Sequence, residues 1–260
     1  MKKILFAIIL AFLIFYSLWF IGVSEGFLKD LIQHSLQDTS LSVDIHDFRK
    51  GLFFNVTSQS VTLKYADKTL LSMEKMGGRI HPLQLFLMRV ALSFDGEIGK
   101  GRIQGKLDLL SGGHQAHLRM DQANIEGIDF FDMIGLRGNG LLSGELKLNN
   151  ERGDLKFSIK EARFERGSFA GGVAPLDLFD RARGAMSIKG KTLRVSSFSM
   201  EGKGIYARVK GEVIGNKVDL ILEVMRDSSF RETFPLLSAI ESYQVSPGYY
   251  VIPIKTVLSF

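Results

Sequence analysis

The sequence contains no cysteine, so disulfides, thiolate metal ligands and cysteine nucleophiles are all excluded. It has few prolines, five in 260 residues, and one tryptophan beside twenty phenylalanines, an excess that is typical of core packing. Runs of five or six like charges are also absent, although the formal net charge is +5. We therefore expect no nucleic-acid surface, and a fold held together by the burial of apolar side chains.

Motifs for catalysis are missing as well. The sequence has no nucleophile elbow, no P-loop and no zinc-protease motif. His114 and His117 are close in sequence, but residues three apart on a strand point to opposite faces, so this pair is not expected to bind one metal ion. The glycine-rich stretches 96–101 and 135–140 lead into strands rather than helix N-termini, which argues against phosphate binding. We expect neither an enzyme nor a cofactor.

The longest apolar run is Ile4–Val23, which contains no charged residue. As a helix it would extend about 30 Å, the hydrocarbon thickness of a bilayer. Lys2 and Lys3 precede it, which predicts a cytoplasmic N-terminus and an exported remainder. Tyr16 and Trp19 are predicted to lie at the far membrane interface. A cleaved signal peptide is the alternative, although its apolar core is normally about 7–15 residues and no A-x-A site follows.

The rest of the chain divides where the hydrophobic period changes. Residues 1–24 are predicted to form a short cytoplasmic end and the transmembrane anchor. Residues 25–40 have the helical spacing of a juxtamembrane amphipathic helix, with Phe27 and Leu28 on its apolar side. From Leu41 to Phe260 the period is two, as in strands with one dry face. The connections are short and contain glycine or asparagine, which leaves no room for parallel crossovers.

We therefore predict a mainly β fold, a long antiparallel meander that forms a rolled sheet or a β-sandwich-like domain. One N-terminal transmembrane helix and a few short helices complete it, the latter at Pro82–Met88, Ile128–Ile134 and Ser228–Ser242. Gly105, Gly144 and Gly211 are predicted to begin or bend strands.

The alternation also defines a candidate functional surface. A sheet with one dry face must cover it with another layer, a protein partner or an acyl chain. A closed core and an open groove for lipid tails give the same alternation, so the sequence leaves both open. The candidate groove or core residues are Leu107, Leu109, Leu146, Leu148, Phe157, Ile159, Leu220 and Leu222.

Several segments occur in the order of a known family. After the apolar run and a short helix come Lys50–Val56, Val61–Lys64 and Thr69–Met73, then an apolar segment that ends at Arg89, and finally the closing strand Gly248–Ile254. In this order the chain resembles the type II secretion system protein N family. The resemblance implies a single-pass protein of the bacterial inner membrane, with a cytoplasmic N-terminus and a periplasmic β domain. It also implies a non-enzymatic accessory role, with other envelope or secretion-system subunits as partners.

A second resemblance suggests another function. The segment Met76–Phe94, a strand, an apolar helix, a basic residue and a strand, is similar to the AsmA-like group of envelope proteins. That similarity implies rolled sheets with a hydrophobic groove and a lipid-handling role, with phospholipid as a possible ligand. Neither resemblance assigns a catalytic, metal or cofactor residue.

Overall fold

The computed structural model describes residues 6, 10, 16–34, 41–65, 67–85, 90–110, 113–133, 136–169, 172–230 and 240–257. Lys2, Lys3 and most of the run Ile4–Val23 lie outside these residues. None of the helices described combines the length and the apolar character that a membrane crossing requires.

Helices are short and few among the described residues. The N-terminal helix ends in a π-helical turn, Leu18–Gly22, and is followed by α1, Glu25–His34. Two further helices are α2, Pro82–Leu85, and α3, Asp129–Met133. Single 3-10 turns complete the set: Leu52–Phe54, Ile125–Gly127, Leu176–Leu178 and Glu241–Tyr243.

Strands make up most of the described chain. In chain order they are β1 Leu41–His46, β2 Arg49–Lys50, β3 Asn55–Tyr65, β4 Lys68–Ile80, β5 Val90–Ile98, β6 Gly101–Leu110, β7 Gly113–Asn124, β8 Gly138–Asn149, β9 Arg152–Phe164, β10 Gly167–Phe169, β11 Gly172–Ala174, β12 Phe179–Lys189, β13 Thr192–Gly202, β14 Ile205–Ile214, β15 Lys217–Arg226, β16 Gln244–Ser246 and β17 Tyr249–Val257.

Fifteen of the strands form one open antiparallel sheet. Its order is β1-β3-β4-β5-β6-β7-β8-β9-β12-β13-β14-β15-β17-β16, with β2 paired to β3, while β10 and β11 form a separate hairpin. Nearly every strand thus lies beside its neighbour in the chain, because turns of two residues at 150–151, 190–191 and 215–216 allow only antiparallel pairing. The predicted mainly β meander is confirmed. The described strands are not divided into the two large sheets of a sandwich.

The two ends of the sheet differ. At one end, which we call the tight end, lie the two-residue turns at 150–151, 190–191 and 215–216. At the other, the covered end, the longer connections 125–137, 165–178 and 227–243 join strands beside two-residue turns at 99–100 and 203–204. Ile128 and Phe131 of the first connection pack on the core there. The main core therefore gathers at the covered end. Its most buried members are Ile98, Ile103, Ala123, Ile125, Ile128, Ile159, Ala182 and Tyr250, all 0–2% exposed.

A second, smaller cluster attaches the N-terminal helix to the tight end. Trp19 and Leu28 are each 2% exposed and pack with Phe54, Val56 and Ile80 of the first strands. The Trp19 and Phe54 rings lie 4.8 Å apart, and Trp19 Nε1 donates to the carbonyl of Gly51 at 3.2 Å. The N-terminal helix is thus packed against one corner of the sheet.

The structure bears on three local expectations. Phe27 is 58% exposed, so the apolar side of α1 is narrower than its spacing suggested and Leu28 alone is fully buried among its described side chains. Of the glycines predicted to begin or bend strands, Gly105 lies within β6, Gly144 within β8 and Gly211 within β14. The predicted helix at Pro82–Met88 is observed at Pro82–Leu85, and its remainder lies outside the described residues.

Candidate functional site: the apolar face of the sheet

One face of the sheet is apolar from β3 to β17, because the register of each strand pair places apolar residues opposite one another. Leu146 lies opposite Leu118 on one side and Leu155 on the other. Residues directly opposite in an antiparallel pair point to the same side of the sheet, so such rows continue from strand to strand. We call this side the apolar face.

The candidate residues predicted from the sequence lie in these rows. Leu148 follows Leu146 at two positions' distance on β8, opposite Ala116 and Gly153. On β15, Leu220 and Leu222 are opposite Ile254 and Ile252 of β17. The remaining positions continue the pattern: Leu107 opposite Leu92 and Ala116, Leu109 with its Cα opposite those of Val90 and His114, Phe157 opposite Gly144 and Gly184, and Ile159 opposite Leu142 and Ala182.

Burial changes along the strands of this face. At the covered end Ile159 is 1% exposed, as part of the main core. Toward the tight end Leu107, Leu146, Leu148, Leu220 and Leu222 are only partly buried. Ile188, at the end of β12, is 43% exposed. A single apolar face is therefore closed at one end and partly open to solvent at the other.

Glycines leave room for the aromatic rings of neighbouring strands on this face. A Cβ on Gly184 would lie 2.2 Å from Phe157 Cε1, and one on Gly105 would lie 2.4 Å from Phe94 Cζ. Each ring thus occupies the space above the glycine of the neighbouring strand, where any larger residue would clash.

A cavity of about 490 Å³ opens at the tight end, between the β8–β9 and β12–β13 turns. Its apolar wall is formed by Leu148, Gly153 and Ile188, and Arg152 and Lys191 are among the residues at its rim. This volume lies within the range of about 300–1,000 Å³ that is usual for small-molecule sites. The apolar face thus has an accessible entrance bordered by charged side chains.

The opposite face is polar and carries charges of both signs. Glu145 contacts His117 Nε2 at 2.6 Å and Lys147 Nζ at 3.0 Å, and these partners, Lys147 first, hold the pKa of Glu145 below its ordinary value. A cavity of about 670 Å³ lies on this face over β3–β7, lined among others by Arg79 and Lys106. Within the part of the chain that the structure describes, no three acidic or histidine side chains are grouped so that they could hold a metal ion.

The residues predicted at the membrane interface have different positions. Lys2 and Lys3 lie outside the described residues. Tyr16 is partly buried, with its ring 5.9 Å from that of Phe53. Trp19 is packed on Phe54, so the protein itself accounts for its burial, and an interfacial position for its ring stays a prediction.

The sequence did not reveal the role of Lys50 at the corner where the N-terminal helix packs on the sheet. Lys50 Nζ donates to the carbonyl oxygens of Trp19 and Phe20 in the π-helical turn and of Val23 just after it. Leu52 and Phe53, close to Lys50 in the sequence, are 58% and 57% exposed. The sequence feature that could have indicated this corner is the apolar triplet Leu52–Phe54 after a lysine and a glycine, but the triplet resembles an ordinary strand.

Comparison of the chain with protein-family models, with curated proteins and with solved structures finds no match.

Proposed function

We propose that this protein is a non-enzymatic, membrane-attached protein of the bacterial envelope that holds lipid acyl chains on the apolar face of its sheet. The single observation that carries the proposal is the partial exposure of Leu107, Leu146, Leu148 and Leu222 on a face whose other end is fully closed. Covering these leucine side chains with hydrocarbon removes apolar surface from water and so lowers the free energy.

The dimensions of the face suit an acyl chain. At about 4.8 Å per neighbouring strand, the rows from β5 to β15 extend roughly 40 Å. One leaflet of hydrocarbon is about 15 Å thick, half of a bilayer, so the face is longer than one lipid tail. Relative to water, each shielded methylene contributes about 0.8 kcal/mol, so an apolar face can keep a tail out of water without any polar contact.

The entrance at the tight end supplies a place for a headgroup. Arg152 and Lys191 are exposed at the rim of the cavity whose apolar wall includes Leu148 and Ile188. Glu151 lines the same cavity, so its border carries two basic side chains and one acidic one, and this excess of positive charge suits a lipid with a phosphate headgroup. In this proposal the sheet is the rolled, groove-forming sheet of the sequence prediction, and the tail lies along its apolar side.

Photocrosslinking from the two faces of the same strands tests the proposal. A photoreactive phenylalanine analogue is placed at Leu146 or Phe157 on the apolar face, and at Glu145 or Lys156 on the polar face as matched controls. The full chain is produced in its native membrane and irradiated. We expect phospholipid adducts at Leu146 and Phe157 but not at the controls. Equal labelling of both faces, or no adducts at all, would contradict the proposal.

A pair of substitutions separates an open face from a closed core. Leu148→Asp should leave the protein folded but abolish lipid crosslinking at Leu146, since Leu148 is only partly buried. Ile159→Asp places an unpaired charge at a site that is 1% exposed and should destabilise the fold by roughly 3 kcal/mol or more. If Leu148→Asp unfolds the protein as readily as Ile159→Asp, the face is a closed core.

The second candidate is an accessory role in the type II secretion apparatus, favoured by the charged cavity of the polar face. Protein interfaces often combine charges of both signs, which direct association, and Arg79, Lys106 and Asp95 line that cavity. Arg79→Glu with Lys106→Glu should remove co-purification with secretion subunits while lipid crosslinking at Leu146 stays. Unchanged co-purification would count against this candidate.

A further inference from the structure

The corner where the N-terminal helix meets the sheet carries an exposed apolar tip. Gly51 N donates to Asn55 O at 2.8 Å, which closes a short loop. At its tip Leu52 and Phe53 are 58% and 57% exposed. On the adjoining helix turn Phe20 and Ile21 are 43% and 87% exposed. Apolar side chains of this size, grouped at one point of a surface, mark an interaction site.

The backbone of this loop is strained. Phe53 and Phe54 have φ angles of +53° and +63°, the left-handed region that bulky residues rarely adopt. Such conformations cost of order 1–3 kcal/mol each and persist only where the surrounding structure imposes them. Here Phe54 is 6% exposed and packed on Trp19, and Trp19 Nε1 donates to Gly51 O. The buried neighbour thus anchors the loop while Phe53 points away from the core.

The tip is continuous with the apolar N-terminal run. The Phe53 ring lies 5.9 Å from the ring of Tyr16, which in turn lies 5.2 Å from that of Phe20. These two residues belong to the run Ile4–Val23, which is uncharged over its whole length. The exposed Arg49 stands next to the loop in the sequence and suits anionic headgroups. The apolar and the basic residues both fit the surface of the bilayer that the run Ile4–Val23 is proposed to enter.

We infer that Leu52 and Phe53 insert into the bilayer beside the N-terminal helix and form a second membrane contact. The inference rests on the proposed membrane attachment of the chain. A second contact restricts the tilt of the sheet relative to the membrane more than the N-terminal helix does by itself. The corner with Val56 and Ile80, where the apolar face begins, is then held against the lipid surface.

Depth measurements with single labels test this inference, because the chain has no cysteine of its own. Phe53→Cys carries an environment-sensitive fluorophore in the full chain, reconstituted into vesicles of phosphatidylethanolamine and phosphatidylglycerol. Val245→Cys is the matched control, an apolar residue that is 66% exposed near the covered end. Phe6→Cys reports on the N-terminal run. Nitroxide-labelled lipids should quench the label at position 53 several-fold more than the label at position 245.

The outcomes distinguish failure of this inference from failure of the proposed membrane attachment. If position 6 is quenched and position 53 is quenched no more than position 245, the tip does not insert and the inference is wrong, while the attachment stands. If neither position 6 nor position 53 is quenched, both fail.

A second variant excludes a merely structural role for the ring. Phe53→Asn suits a positive φ, so it should leave the thermal stability in detergent unchanged or raised, and Trp19 emission unchanged. A clear loss of stability would show that Phe53 serves the fold and would overturn the inference.

Discussion

The Nζ of Lys50 lies 2.9 Å from the carbonyl oxygen of Trp19 and 5.4 Å from the centre of its ring. The same ammonium group donates to the carbonyl oxygens of Phe20 and Val23 at 3.1 and 2.6 Å. Carbonyls in the last turn of a helix have no donor within the helix, and a cation is favourable at that end of the dipole. One lysine of β2 therefore fastens the N-terminal helix to the sheet.

Replacing this lysine should release the helix end. Lys50→Met keeps the length of the side chain and removes the charged donor, which we expect to cost roughly 1–3 kcal/mol. Trp19 is the only tryptophan of the chain, so its fluorescence reports on this corner alone. Its emission should shift to the red and its quenching by acrylamide should increase. Lys255→Met, on a mostly exposed side chain 3.7 Å from Asp219, is the control. An unchanged emission in Lys50→Met would show that the cap contributes nothing.

The packing of rings over glycines gives a second prediction. Gly184→Ala should destabilise the protein by about 1–3 kcal/mol, since a methyl group there would lie 2.2 Å from Phe157 Cε1. Gly77→Ala is a matched control, because the nearest atom to its Cβ would be Asp95 Oδ1 at 3.7 Å. Chemical unfolding measures both.

A smaller side chain at Phe157 should partly relieve the destabilisation caused by Gly184→Ala. Combining Gly184→Ala with Phe157→Leu should cost less than the sum of the two single substitutions, since the smaller side chain leaves room for the methyl group. Strictly additive losses would mean that the ring is not what the methyl group meets.

The sheet and its apolar face could be predicted because both follow from one period. Alternation in β8, from Leu146 to Leu148, places its apolar residues on one side, and two-residue turns carry that side to the next strand. The extent of burial could not be predicted in this way. Leu148 and Ile159 have the same pattern in the sequence, but Ile159 lies at the covered end and is part of the main core, whereas Leu148 lies at the tight end.

The contacts of Lys50 could not be predicted from the sequence for a different reason. A lysine in a short strand is normally solvated, and its partners here are carbonyls some 30 residues earlier in the chain. Likewise the positive φ of Phe53 contradicts the local preference of phenylalanine, because the packing of Phe54 on Trp19 decides the backbone. Tertiary contacts overrode local preference at both positions.

An ion pair on the polar face gives a third prediction. The Glu223 carboxylate is 10% exposed and lies 2.7 Å from Lys210 Nζ. Lys210→Met should lower the free energy of unfolding by about 1–2 kcal/mol, since it leaves a nearly buried carboxylate without this cation. The cost stays below that of a fully buried pair because Lys210 is 41% exposed.

The double variant Lys210→Met, Glu223→Gln is the control in a mutant cycle by urea unfolding. It should be more stable than Lys210→Met alone, because the amide carries no charge that needs a partner. If the double variant is the less stable of the two, the carboxylate is satisfied without Lys210.

The pair between β1 and β3 should make stability depend on pH. The hydrogen bond from Lys64, at 2.6 Å, holds the pKa of Asp44 below its ordinary value. Since the folded pKa is the lower one, ionised Asp44 stabilises the fold above the ordinary aspartate pKa of about 4, and this contribution is lost as the pH falls through the folded pKa. Asp44→Asn should therefore lower the urea midpoint at neutral pH and approach the wild type in acid.

The effect should be small, because the side chains of Lys64 and Asp44 are 35% and 44% exposed and water screens the pair. Asp219→Asn serves as the control, since the Asp219 carboxylate lies 3.7 Å from Lys255 and both side chains are more exposed than those of the first pair. Urea midpoints of the three proteins, measured from neutral pH down to below the carboxylate range, should therefore diverge most for Asp44→Asn and only on the neutral side. A difference between wild type and Asp44→Asn that is the same at every pH would mean that the substitution acts through packing at the sheet edge and not through the charge of Asp44.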